Sequence, residues 1–193
     1  MAREARNNFQ ILEARRTMSN IWDERYASEE YLFGTEPNAF LVSQRHLLKH
    51  GMRCLAVADG EGRNGVWLAG QVLDVLSVDA SPVAAAKAHK LAVHCGVDLK
   101  CEVAELLDWD WGENRYDIVV AIFIQFATHE QRDQLFANIK RTLKPGGLLL
   151  LQGYTPRQLE CGTGGPSQAD NLYTVPMLRN VFLRHGNPAA VRA

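Results

Sequence analysis

Between residues 51 and 154, apolar runs alternate with stretches of helical period, and that alternation sets the expected architecture. Residues 53–58 (RCLAVA) predict a short strand, the loop DGEGRN follows, and residues 65–70 begin a helix. Residues 72–79 (VLDVLSVD) predict a second strand. Ser81-Pro82 then opens a helix with a capping side chain and a proline at the first helical position. Ala84, Ala85, Ala88, Leu91 and Ala92 share one side of it. Residues 97–103 read as a third, weaker strand. Residues 116–126 (YDIVVAIFIQF) are apolar almost without alternation, as in a central parallel strand covered on both faces. An amphipathic helix is expected over 130–143, carrying Leu135, Phe136, Ile139 and Leu143. Lys144-Pro145-Gly146-Gly147 stops it, residues 148–153 (LLLLQG) form a fifth strand, and a last helical stretch covers 175–183. Strands alternating with helices predict an α/β domain with a mainly parallel sheet and helices on both faces.

Composition adds size and exclusions. A chain of 193 residues, 47% hydrophobic and 22% charged, is one domain able to bury its own core. With 21 basic against 22 acidic side chains the net charge is −1, which gives no footprint for nucleic acid or an anionic membrane surface. The longest apolar runs, such as 118–124, fall far short of the ~20 residues of a membrane span. The first 17 residues have no apolar core of a secretory signal, and their two Glu among four Arg argue against an organelle-targeting helix. Four cysteines (Cys54, Cys95, Cys101, Cys161) without a CxxC pair fit reduced thiols. A soluble, cytoplasmic protein is expected, with no nucleic acid and no membrane among its partners.

The candidate chemistry sits where the first strand ends. In an open parallel sheet, ligands bind beyond the carboxyl ends of the strands, near the point where strand order reverses. There the chain reads Ala58-Asp59-Gly60-Glu61-Gly62-Arg63-Asn64-Gly65. Gly60 and Gly62 allow a tight turn and a close backbone approach to a ligand, and the following helix aims free N–H groups above it. Asp79, 17 residues beyond Gly62, closes the second strand, where a carboxylate accepts hydrogen bonds from both hydroxyls of a ribose. These features predict an adenosine-containing ligand. Gly60-x-Gly62-x-x-Gly65 matches the dinucleotide fingerprint, so an NAD(P)-binding oxidoreductase is one reading. Asp59 and Glu61 would oppose a pyrophosphate and suit a cationic ligand without phosphates, such as S-adenosylmethionine, so a methyltransferase is the other. The loop alone leaves both open.

The stretches ADGEGRNGVWLA, SVDAS (77–81), YDIVVAIFIQF (116–126) and LKPGGLLLLQGYTP (143–156) resemble class I SAM-dependent methyltransferases. Residues 22–26 (WDERY) and 31–38 (YLFGTEPN) are similar to the opening segment of the tellurite-resistance (TehB-type) branch. The resemblance spans about residues 18–182 and implies a Rossmann-like fold, S-adenosyl-L-methionine as cofactor and a small-molecule methyl acceptor. By position it places Ala58, Asp59, Gly60, Gly62 and Asn64 around the methionine part of the cofactor and Asp79 on the ribose. It places Ala80, Ser81 and Glu105 near the adenine, and the strand end from Ile122 to Gln125 at the methyl-transfer site. Trp22, Tyr26, Tyr31 and Gly34 become residues of a segment folded over the cofactor.

This chain departs from the family pattern in three places. Ala58 replaces the first glycine and crowds the loop, while Ala56 replaces the usual acid and Asp59 stands at an unusual position. After the helix at 175–183 the family adds a sixth and an antiparallel seventh strand. Only residues 184–193 remain here, about 30 residues too few for that hairpin. A deletion or gene-model error between Phe182 and His185 is the expectation, so the domain at 18–193 is truncated. Strands 6 and 7 are then incomplete, and the fifth strand has a bare edge open to homodimerisation. Residues 1–17, before Met18, read as an N-terminal extension. Truncation also raises a third reading, a SAM-binding relic without catalysis.

Methyl transfer from a sulfonium needs alignment and exclusion of water more than a strong base. A thiol or a reduced chalcogen anion is therefore a fitting acceptor, with Gln125 and Tyr154 as the residues to orient it. Arg63 is a candidate for the cofactor carboxylate or for Glu36. The trio His89, His94 and Cys95 lacks a zinc spacing and reads as a helix surface. His129, at the start of a helix, reads as incidental. Trp109 and Trp111 are expected to pack under the loop, and residues 162–166 (GTGGP) to close over substrate.

Overall fold

The computed structural model describes residues 21–162 and 164–183. The expected extension at 1–17, with Met18, and the expected remnant at 184–193 lie outside the described residues. Five strands form one parallel sheet: β1 (Arg53–Val57), β2 (Asp74–Asp79), β3 (Lys100–Val103), β4 (Tyr116–Ile122) and β5 (Leu143–Gln152). Their order is β3-β2-β1-β4-β5, with every pairing parallel. Order reverses between β1 and β4, which sets the ligand crevice at the tips of those two strands. Among the described residues β3 and β5 are the sheet edges.

Alternation along β1 explains both layers. Cys54 and Ala56 point to one face, packing with Val66, Leu68, Ala88 and Leu91 of the helices α2 (Arg63–Gly70) and α3 (Pro82–Cys95). Leu55 and Val57 point to the other, where Leu135, Phe136 and Ile139 of α4 (His129–Thr142) meet Leu178 and Phe182 of α6 (Val175–Leu183). Two short helices complete the set, α1 (Ala39–Ser43) and α5 (Gln158–Cys161), and residues 21–26 are also helical. Trp111 is fully buried with its indole N–H on the Leu106 carbonyl, and Trp109 packs edge-on against it. Trp111 thus belongs to the core on the α4 side, where its carbonyl accepts the Thr142 hydroxyl, and Trp109 donates to Glu102 (2.7 Å).

Helix ends follow local chemistry. The Ser81 hydroxyl accepts the Ala84 N–H, Pro82 occupies the first position, and Gly96 ends α3 in the left-handed region. A capping box between Thr128 and Gln131 starts α4 one residue earlier than expected, at His129. Several strand boundaries differ from the sequence pattern, among them the start of β3 at Lys100 rather than 97, and three have a visible cause in the backbone. β2 begins at Asp74 because Val72 has φ +63° and its carbonyl accepts the Gly51 N–H. β4 ends at Ile122 because Phe123 leaves the extended region at φ +58°. Lys144 to Gly147 do not separate helix from strand: β5 starts at Leu143, and these four residues form an irregularity between the Tyr116–Leu143 and Ile118–Leu148 pairs.

Candidate functional site

The β1–β2 tips are knitted by carboxylates onto backbone. Asp79 accepts the Gly60 N–H on Oδ2 (2.8 Å) and the Ser81 N–H on Oδ1 (2.9 Å). Asp59 accepts the Gly65 N–H (3.0 Å) and the Ser77 hydroxyl (3.1 Å) on one oxygen. Burial pushes the Asp59 carboxyl up to about 7, against the pull of its Gly65 and Ser77 hydrogen bonds and with the Asp79 charge adding to the rise. Asp79 is raised too, first by burial and then by Asp23, while the N–H groups of Ser81, Gly60 and Ala80 oppose the shift. Asp23 accepts a short hydrogen bond from the Ser81 hydroxyl. Three acidic side chains thus surround the tips of β1 and β2.

Ala58 takes φ +48°, so the residue standing for the family's first glycine carries backbone strain of about 1 kcal/mol. The two glycines are required for different reasons. A Cβ on Gly60 would lie 2.9 Å from the Tyr26 hydroxyl. A Cβ on Gly62 would lie 2.5 Å from that of Ala88, so this glycine serves the approach of α2 to α3 rather than of a ligand to the loop.

Residues 21–38 lie over this loop, and every anchor falls on residues 60–64 or 81–87. Tyr26 is buried against Gly60 and stacks on Trp22 at 5.3 Å, with the Arg25 guanidinium 4.3 Å from the centre of the Trp22 ring. Burial, together with Asp79 and Glu61, raises the Tyr26 hydroxyl above its usual range, so it stays a neutral donor. Lys87 of α3 donates to the carbonyls of Ser28 (2.8 Å) and Glu30 (2.6 Å) and pairs with the buried Glu61. Glu61 accepts the Leu32 N–H (2.8 Å), and the Tyr31 ring lies 4.9 Å from the Lys87 ammonium. Arg63 donates to the Phe33 carbonyl (3.0 Å), not to Glu36. Asn64 is buried and accepts the Asn38 N–H (3.0 Å), while Asn38 caps α1. Gly34 sits in an exposed turn at φ +69° with nothing near the place of a side chain, so it shapes the segment without facing the loop.

The β4–β5 tips differ in character. Gln125 is buried, and its amide is engaged with backbone: the nitrogen donates to the Tyr154 (2.9 Å) and Asn171 (3.1 Å) carbonyls and the oxygen accepts the Tyr154 N–H (2.5 Å). The side chain expected to orient an acceptor thus latches the segment after β5. Tyr154 is half-buried and stacks on Phe123, centroids 4.6 Å apart and planes at 28°. Holding a bulky residue such as Phe123 in the left-handed region costs about 1–3 kcal/mol. Of the stretch expected to close over substrate, residue 163 lies outside the described residues; Gly165 packs on the Tyr154 ring, and the buried Gln158 donates to the Pro166 carbonyl (2.6 Å).

Among the remaining expected residues, Ile122 ends β4 and is buried. Ala80 follows β2. Glu105 is exposed just beyond β3, brought beside the β2 tip by the Ala104 N–H bond to the Asp79 carbonyl (3.0 Å). His89, His94 and Cys95 are exposed on α3, and the described residues contain no metal-holding cluster. His129 is exposed on the first turn of α4. Sequence reading missed Asp23 and Lys87, and it held Phe123 only as part of the strand end from Ile122 to Gln125, without its turn out of the strand. The acidic Glu61 in a turn that must be buried was the one available sign that a cation had to come from elsewhere.

A family model described as a methyltransferase domain matches residues 54–147. No curated protein matches the chain. Three solved structures are similar. One is the protein behind the conversion of a disulfide bond into a thioacetal group during echinomycin biosynthesis, at 22% identity and TM-score 0.71, covering 86% of this chain and 78% of that one. The second is a TehB-like SAM-dependent methyltransferase from Corynebacterium glutamicum, at 19% identity and TM-score 0.57, covering 88% and 80%. The third is phosphoethanolamine N-methyltransferase 2 from Haemonchus contortus in complex with S-adenosyl-L-methionine, at 24% identity and TM-score 0.62, covering 83% and 39%. At these identities the likeness to solved structures is one of fold, and the chemistry rests on the matched domain. Among the described residues no helix is long and apolar enough to cross a membrane. Residues 54–147 match a methyltransferase domain, and the fold around them is the one these solved structures share.

Proposed function

We propose that the chain methylates a small, soft acceptor, a thiol or a chalcogen anion, with the cofactor lying across the β1–β2 tips beneath residues 21–38. The observation that carries this reading is the carboxylate of Asp79, fixed by two backbone N–H groups at the switch point with the Asp59 and Asp23 carboxyls beside it. The fit to the cofactor follows from that donor set. The three carboxyls repel one another, and burial raises those of Asp59 and Asp79, so a ligand bringing a sulfonium and an ammonium relieves them, whereas a pyrophosphate would add to the repulsion. S-adenosylmethionine, when bound, supplies a methyl group on a cationic sulfur, an electrophile that needs no further activation.

The chain's own residues bind, orient and shield. Asp79 accepts the ribose hydroxyls on the lone pairs that Gly60 and Ser81 leave open. Ala58 to Gly62 and Asn64 border the methionine part. Ala80, Ser81 and Glu105 flank the adenine. Trp22 and Tyr26 close the top and exclude water. Ile122 borders the reacting centre, and Gln125 holds Tyr154 beside it. Tellurite and selenite belong in the acceptor panel because the opening segment resembles the tellurite-resistance branch.

Calorimetric titration with S-adenosylmethionine and S-adenosylhomocysteine, with NADH as control, tests the reading. Micromolar binding of both is expected, and Asp79→Ala weakens it about 100-fold, the loss of two charge-assisted hydrogen bonds. Binding of NADH in their place would overturn the assignment.

A further inference from the structure

Phe123 leaves β4 in the left-handed region, donates its N–H to the Gln152 carbonyl (2.8 Å) and keeps its ring 37% exposed against Tyr154. A large hydrocarbon ring in a conformation that disfavours it, at the tip of a strand bordering the switch point, is a place where local cost is maintained by the surroundings. The surroundings do maintain it. Gln125 grips Tyr154 at both its N–H and its carbonyl. Gly165 lies so close to the Tyr154 ring that a Cβ there would come within 2.7 Å of it. The Tyr173 N–H donates to the same Tyr154 carbonyl (2.9 Å). The Gln125 amide and the Tyr154 backbone groups are therefore engaged with one another, and the surface this corner presents outward is the aromatic pair. An inorganic oxyanion binds through N–H donors and cations. A stacked pair of rings instead gains from covering another apolar, flat body.

We infer that the Phe123–Tyr154 pair seats the body of the methyl acceptor, and that the acceptor is an organic thiol carrying a flat apolar group. This rests on the methyl-transfer reading above and adds the acceptor class to it. In the reaction the thiolate sulfur forms a new C–S bond to the methyl carbon as the methyl–sulfonium bond breaks. That bond's electron pair returns to the cofactor sulfur, the thiol proton leaves to solvent, and a methyl thioether and S-adenosylhomocysteine are the products. Phe123 and Tyr154 align the acceptor and take no part in proton transfer.

The test compares benzyl mercaptan with 2-mercaptoethanol, two alkyl thiols of similar acidity that differ in the ring, and with sodium tellurite. Calorimetry on the protein saturated with S-adenosylhomocysteine reads thiol binding directly, and product formation from S-adenosylmethionine reads kcat/KM. Benzyl mercaptan is expected to bind and to be preferred over 2-mercaptoethanol by about tenfold or more. Phe123→Gly removes the ring while accepting the backbone conformation, so the variant folds. It loses the preference and keeps its affinity for S-adenosylhomocysteine within about twofold of the unaltered chain. Equal use of the two thiols, or preference for tellurite, overturns the acceptor assignment and leaves the methyl-transfer reading standing. An equal fall in S-adenosylhomocysteine affinity on Phe123→Gly would make the ring part of the cofactor site and also overturns it. Failure of the unaltered chain to bind S-adenosylhomocysteine sinks both.

Discussion

At the β1–β2 tips, charged side chains reach across the fold to backbone groups: Asp79 to Gly60, Asp59 to Gly65, Glu61 to Leu32, Lys87 to Ser28 and Glu30. At the β4–β5 tips a neutral amide does the bracing and two aromatic rings face outward. Both regions hold a non-glycine residue in the left-handed region, Ala58 in one and Phe123 in the other. At Ala58 the strain keeps a turn that the fold's cofactor site requires. At Phe123 it aims a ring, and a different side chain there would aim something else. The contrast separates a charged, backbone-bound part of the crevice from a neutral, aromatic one.

The sharpest way to break the first region is to fill Gly62. Gly62→Ala forces a Cβ into Ala88 at φ +85° and should destabilise the fold by about 3 kcal/mol, read from urea unfolding. If the loss is under 1 kcal/mol, the close approach of α2 and α3 is not what requires this glycine. A smaller effect, confined to the covering segment, is expected at Lys87. Lys87→Met should weaken S-adenosylhomocysteine binding about tenfold, ~1.4 kcal/mol, with the Glu61 charge rehydrating as residues 21–38 lift. Adding Glu61→Gln to that variant should restore part of the loss, and proteolysis between residues 21 and 38 should track the affinity.

A third effect is a pH dependence. The Asp59 carboxyl is raised from 3.8 to about 7 in the folded chain, so the folded state holds its proton more tightly than the unfolded chain does. Stability from this group is therefore full below about pH 4 and declines as pH rises toward 7. Relative to Asp59→Asn, the thermal midpoint of the unaltered chain should fall over that window. A parallel pair of pH profiles would show that Asp59 does not titrate there.

Much of the fold was legible because its signals are local. The last helix occurs at Val175–Leu183 as read, Ser81-Pro82 starts α3, and the apolar run at 116–126 supplies the inner strand β4 over Tyr116–Ile122. What failed was decided by backbone turns or by distant partners. Nothing in the run IFIQF marks Phe123 as the residue that leaves the strand, because its neighbours Ile122, Ile124 and Gln125 are buried and an apolar ring reads as one more core residue. Gln125 was read as a group facing an acceptor; only the return of residues 154 and 171 to its side shows a latch. Lys87 looked like an ordinary surface position of α3, and its partners lie 57 and 59 residues away in sequence. Arg63 found a backbone carbonyl where a carboxylate seemed the natural partner.

The anchors of residues 21–38 have an evolutionary consequence. Glu61, Arg63, Asn64, Ser81 and Lys87 each hold a point of that segment, so a substitution at any of them must be answered upstream for the cover to stay seated. The two stretches are bound to drift together as one heritable unit. A relative sharing only residues 54–147 would inherit half of a matched pair, and grafting this loop into another methyltransferase should succeed only when its cover travels with it.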